Sequence, residues 1–201
     1  MPRLPLPDLS ALTQQQQTVV DAIRTAGERK GRVPVPYQLS LANPEFTSAW
    51  QQMGVLMRYR SSLSPRLSEL AILVTARCWN CSYEWSAHAP AALAAGLDEQ
   101  VIEEIRWARV PVFTELDEQL VFAYAAQLNE SRTVDAVTHR TALDLLGQTR
   151  IVDLTALLGY YAMVAMTLNA HDYLPAEQTL PELPSDERKF ASVTTLRLAT
   201  P

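Results

Sequence analysis

Residues 65–97 read PRLSELAILVTARCWNCSYEWSAHAPAALAAGL. In the first half, Leu67, Leu70, Ala71, Ile72, Leu73, Val74 and Ala76 leave the chain apolar nearly all round at helical spacing. That pattern predicts a central, buried helix from Pro65 to about Cys78, opened by Ser64 as the capping side chain and proline at the first helical position. In the second half, Glu84 to Ala95 predicts another helix, ended by Gly96 in a left-handed cap. Glu69 stands on the same side of the first helix as Ile72 and Leu73. It is either part of a buried polar site or an acid of the first turn, where the helix dipole favours it.

Helical periods also dominate outside this stretch, and the chain has only 6 glycines. A polar amphipathic helix is expected over 12–28, with Val19, Val20 and Ile23 on one side. Asn43-Pro44 opens a helix to about Ser61, Asp98 caps a short one to about Ala108, and Thr114 opens one to about Asn129. Thr133 caps another that ends at Gly147, and a last long helix covers roughly 148–170. The segment GRVPVPYQLSLANPE (31–45) reads as irregular, because Pro34 and Pro36 bias their neighbours away from the α region. The reading is all-α, seven or eight helices in a single domain over 1–201. Its core spans about 35–172, between an N-terminal arm and a Pro-containing C-terminal arm (Pro175, Pro181, Pro184) that is draped over the body or reaches a neighbouring subunit.

Composition narrows the function. The chain has 201 residues and a formal net charge of -5, with a pI near 5.2. No basic face is present, which argues against a nucleic-acid partner. No secretory signal is visible, and the apolar stretches are interrupted by polar residues well short of 18, so no membrane span is expected. Two cysteines in that setting point to a reducing cytoplasm, where a CxxC pair is catalytic, metal-binding or inert rather than a structural bridge.

Within CWNCSYEWSAH (78–88), Glu84 and His88 are four apart on one helical face. A carboxylate in contact with an imidazole raises its basicity and fixes its tautomer, which suits general acid–base work. The same spacing also describes an ordinary surface ion pair. Tyr83 and Trp85 favour the first reading, as walls of an aromatic cavity or supports behind them. Cys81 shares the helical phase of Glu84 and His88, whereas Cys78, next to the apolar helix, reads as a small core residue. A zinc site from Cys78, Cys81, His88 and Glu84 lacks the second, separated ligand pair, and neither His139 nor His171 has a cysteine near it. No metal is expected.

Glu69, Cys81 twelve residues on, His88 seven further, and the apolar helix ending AGL resemble the carboxymuconolactone decarboxylase / alkylhydroperoxidase D-like superfamily, most strongly over about 35–110. The resemblance implies an alkylhydroperoxidase D-like helical bundle, homo-oligomers (commonly trimers or hexamers) and a site around this motif. The peroxidase branch carries a second cysteine three residues after the first, and here Glu84 holds that place. A carboxylate forms neither sulfenate nor disulfide, so peroxidase chemistry is not expected from this register. The decarboxylase branch shows glutamate followed four later by histidine and needs no cofactor, and Glu84 and His88 fit it.

The resemblance therefore implies a cofactor-independent lyase, hydrolase or isomerase for a small carboxylated or lactone-like metabolite. His88, Glu84, Glu69 and Cys81 would form its site and Tyr83 and Trp85 its walls. Arg58, Arg60 or Arg77, the cations nearest in sequence, would hold a substrate carboxylate. The alternative is a thiol peroxidase or disulfide reductase working through Cys78 and Cys81. A third is a non-catalytic small-molecule-binding scaffold.

Overall fold

The computed structural model describes residues 2–26, 31–175, 182–184 and 189–190. Eight helices and no strand occur among them: α1 Gln14–Thr25, α2 Val35–Ser40, α3 Pro44–Tyr59, α4 Pro65–Cys78, α5 Ser82–Ala94, α6 Glu99–Arg106, α7 Leu116–Ser131 and α8 Ala136–Ala170. The expected all-α fold is the one observed.

Helix starts follow side-chain capping. Asn43 accepts from the Phe46 amide and Ser64 from the Leu67 amide, each with proline next in the chain. Thr13 forms a reciprocal capping box with Gln16. Asp135, rather than Thr133, caps α8 through the Val137 and Thr138 amides. Gly147 breaks helical geometry inside α8 (φ 80°, ψ 163°), where the sequence places a boundary. The segment read as irregular contains α2 instead. Pro34 precedes it and Pro36 lies in its first turn, where an amide has no intrahelical partner to lose.

α4 is the central element. Its residues from Glu69 to Arg77 are all buried, and it packs against α5, α7 and α8. α8 also meets, by length and composition, the size of a membrane span, with a mean hydropathy of 1.6 over its most apolar 18-residue window. The expectation that no apolar stretch reaches that length is corrected here. Half of that window is buried inside the fold against neighbouring helices, as in the core helix of a helical bundle.

The CWNC stretch is the joint between α4 and α5. Trp79 is the C-cap and Asn80 takes the left-handed conformation (φ 47°). The Asn80 amide donates to the Arg77 carbonyl (3.1 Å) and the Cys81 amide to the Ala76 carbonyl (2.8 Å). This is the Schellman arrangement, and Cys81 then serves as the N-cap residue of α5. The other end of α5 closes the same way: Gly96 (φ 90°) donates to the Leu93 carbonyl, and Leu97 to that of Ala92. Two matched turns thus fix the direction and phase of α5 against α4.

The described part of the C-terminal arm lies on the body. Phe190 sits edge-on to Phe122 at 5.2 Å, and its amide donates to Glu130. Pro181 lies outside the described residues.

Candidate active site

Across the α4–α5 packing, Glu69 and His88 meet. His88 Nδ1–H donates to Glu69 Oε2 at 2.6 Å, since a carboxylate there can only accept. On the other ring nitrogen, Nε2 lies 3.4 Å from Glu84 Oε2, at the i,i+4 spacing within α5. Both carboxylates and the imidazole are buried. Arg58 reaches in from α3: Nη2 is 3.7 Å from Glu69 Oε1, and Nη1 is 3.5 Å from His88 Nε2 and 3.4 Å from the Tyr161 hydroxyl. Two acids and two bases form one cluster, neutral in sum when the imidazole is protonated.

Burial on its own would lower the His88 pKa, but the charge of Glu69 and hydrogen bonds to Glu69 and Glu84 outweigh it and raise it to about 9. Burial likewise works to raise Glu69, and His88 and Arg58 overcome it to leave that carboxyl below its ordinary value. The resting pair is therefore imidazolium with carboxylate. A raised histidine stabilises the fold fully below its ordinary value of 6.5, and that contribution fades as pH rises through about 9. A lowered glutamate stabilises above its ordinary 4.5, and that contribution is lost as pH falls through its depressed value. The pair thus contributes most between about 4.5 and 6.5.

The cluster opens on a cavity of about 390 Å³ lined by residues that include Arg58, Tyr83, Glu84, His88, Tyr160 and Tyr161. Pro34, Pro36, Tyr37 and Tyr59 complete much of its wall. Tyr83 stands where the sequence puts it. Trp85 does not line this cavity. It is 2% exposed, sits in the core, and borders a separate cleft with Leu93 and Ile102. Arg77 is not brought to the cluster either: it is buried at the far end of α4 and donates to Asn80 Oδ1. Eight residues of helix separate it from Glu69, about 12 Å of rise. Tyr37, Tyr160 and Tyr161 are residues that the sequence reading did not assign, coming from α2 and α8.

Cys78 and Cys81 are free thiols. Burial, then Glu84, push Cys81 up to about 12, against the opposing pull of the Glu84 and Tyr83 amides. Burial raises Cys78 further, beyond the usual thiol range. Neither is poised as a thiolate. At pH 8 both thiols of the folded protein will label with a disulfide reagent at least about a hundredfold more slowly than free cysteine. Rapid labelling of Cys81 would return sulfur chemistry to the site. Among the described residues, no group of three or more His, Cys, Asp or Glu side chains is arranged to hold a metal ion.

Fold and site together define a helical protein with a buried Glu–His–Glu cluster beneath a tyrosine-walled cavity. Residues 44–140 match the model of the carboxymuconolactone decarboxylase family. An uncharacterized peroxidase-related protein from Silicibacter sp. TM1040, of known crystal structure, has the same fold: TM-score 0.70 at 20% identity, covering 87% of this chain and 91% of that one. At that identity the likeness is one of fold. The comparison with curated proteins gave no match.

Proposed function

We propose that this protein is a cofactor-independent acid–base enzyme of the carboxymuconolactone decarboxylase kind, acting on a small carboxylated or lactone-like metabolite. The observation that carries the reading is the His88 ring, fixed between Glu69 and Glu84 at the wall of the cavity, where the two carboxylates favour its protonated form. Decarboxylation consumes a proton. The C–C bond to the carboxylate breaks, CO2 leaves, and the electron pair passes to an adjacent carbonyl as an enolate. A proton must then reach the carbon, and a resting imidazolium is loaded to give it. Glu69 holds the ring orientation from Nδ1, and Glu84 is placed to return a proton to Nε2 from solvent. Arg58, its side chain 35% exposed, offers a fixed cation to the substrate carboxylate.

The thiol peroxidase alternative has less support, because peroxide reduction needs a thiolate and burial works against one at both cysteines. A small-molecule substrate and assembly as a homo-oligomer are parts of the same proposal.

The test is turnover of a panel of small lactone carboxylates and β-keto acids in D2O, followed by CO2 release. The expected result is release from at least one compound, with one deuteron on the carbon that lost the carboxylate. Tight binding across the panel without any turnover would favour a binding scaffold instead. Peroxide reduction that is lost in Cys81→Ser would favour the thiol alternative.

A further inference from the structure

We propose that Tyr161 is the third donor of an anion cradle, in which its hydroxyl, Arg58 and His88 Nε2–H together grip one oxyanion of a small carboxylate or its enolate. This inference rests on the acid–base reading above and adds a binding residue to it.

Three polar atoms gather at one side of the cavity. Arg58 Nη1 lies 3.4 Å from the Tyr161 hydroxyl and 3.5 Å from His88 Nε2. A guanidinium has no acceptor, and Nε2 of an imidazolium carries a proton. With His88 protonated, the Nη1–Nε2 approach sets donor against donor and cation against cation. The Tyr161 oxygen accepts from Arg58 and keeps its own proton to give. Burial holds that phenol protonated, well above its ordinary value, against the pull of Arg58. All three groups can donate, and Nε2 has only a long partner in the Glu84 carboxylate at 3.4 Å, which a bound ligand at a shorter distance would displace. A compact acceptor carrying negative charge would take all three donors at once.

The tyrosine is held there by its neighbours. Tyr161 is 3% exposed, and its ring stands edge-on to His88 at 5.0 Å and 87°. Tyr160 packs edge-on to Tyr161 at 5.2 Å, and the Tyr160 hydroxyl pairs with that of Tyr37 at 2.8 Å. That pair rests on Gly54 of α3. A Cβ on Gly54 would fall 2.3 Å from the Tyr37 hydroxyl and 2.5 Å from that of Tyr160. Gly54 and Arg58 are four apart on α3 and share a face. One helix face thus supplies both the cation and the seat of the tyrosine pair, which makes Gly54 a positioning residue.

The experiment is calorimetric titration of the protein with benzoate and with benzamide, its uncharged counterpart. The wild-type protein should bind benzoate and discriminate against benzamide. Tyr161→Phe, which removes one oxygen, should weaken benzoate about tenfold or more while leaving the His88 titration in place. Gly54→Ala should weaken it as well, by displacing the tyrosine pair. Wild-type affinity for benzoate in Tyr161→Phe, with binding lost in Arg58→Gln, would overturn the inference and leave the acid–base reading standing. No benzoate binding by the wild-type protein would overturn both.

Discussion

His88→Gln will reduce turnover by about two to four orders of magnitude, the usual contribution of a positioned general acid. Glutamine can still occupy the space and hydrogen-bond to Glu69, but it cannot transfer a proton. Substrate affinity should fall less than the turnover number, because Arg58 remains. The variant removes the cation closest to the buried Glu69 carboxylate, so its fold must be checked by thermal melting in parallel. A folded His88→Gln protein that turns over as fast as the wild type would remove His88 from the chemistry. Glu84→Gln separates the two carboxylates: it keeps the Glu69 contact on Nδ1 and should slow only steps that need Nε2 reprotonated.

Trp85→Ala will destabilise the fold by about 3–5 kcal/mol, as expected for emptying a large buried aromatic site. Trp85 is buried in the core beside the separate cleft and does not reach the cavity that holds His88. Urea denaturation measures the loss. Binding of small acids by the folded variant should match the wild type. A variant of ordinary stability that binds acids poorly would instead put Trp85 in the wall of the site.

The contrast between Trp85 and Tyr83 shows how far the sequence reaches. Both are aromatic and both flank Glu84. The cavity takes a stripe of α5 formed by Tyr83, Glu84, Ala87 and His88. With 100° per residue, Trp85 falls 60° beyond the edge of that stripe, and only the packing of α5 on α4 sets where the edge lies. That packing is fixed by the Asn80 and Gly96 turns. Gly96 was legible as a left-handed cap because glycine signals one. Asn80 was hidden inside a CxxC that drew attention to its sulfurs. The two cysteines bound the joint between helices rather than form a poised dithiol.

Helix starts at Asn43 and Ser64 were readable because their caps are local, as was the break at Gly147. α2 was missed because two prolines mask a first turn that tolerates them. Glu69 and His88 are 19 residues apart, and their meeting follows from one turn between two adjacent helices. Tyr160 and Tyr161 lie more than 70 residues beyond His88 in the sequence. No spacing rule connects them, and only the packing of α8 onto α4 brings them in. Arg58 and Arg77 were chosen alike by nearness in sequence. The structure separates them because α3 crosses the cavity while Arg77 sits at the far end of α4.

The central claim is that His88 rests as an imidazolium between two carboxylates. Its most direct test is an NMR titration of the imidazole. The chain has 3 histidines, so a spectrum of His88→Gln assigns the signal. We predict a midpoint near 9, falling when Glu69 is replaced by glutamine. A midpoint at or below the ordinary 6.5 would contradict the account, because the histidine would then rest neutral and have no proton to give.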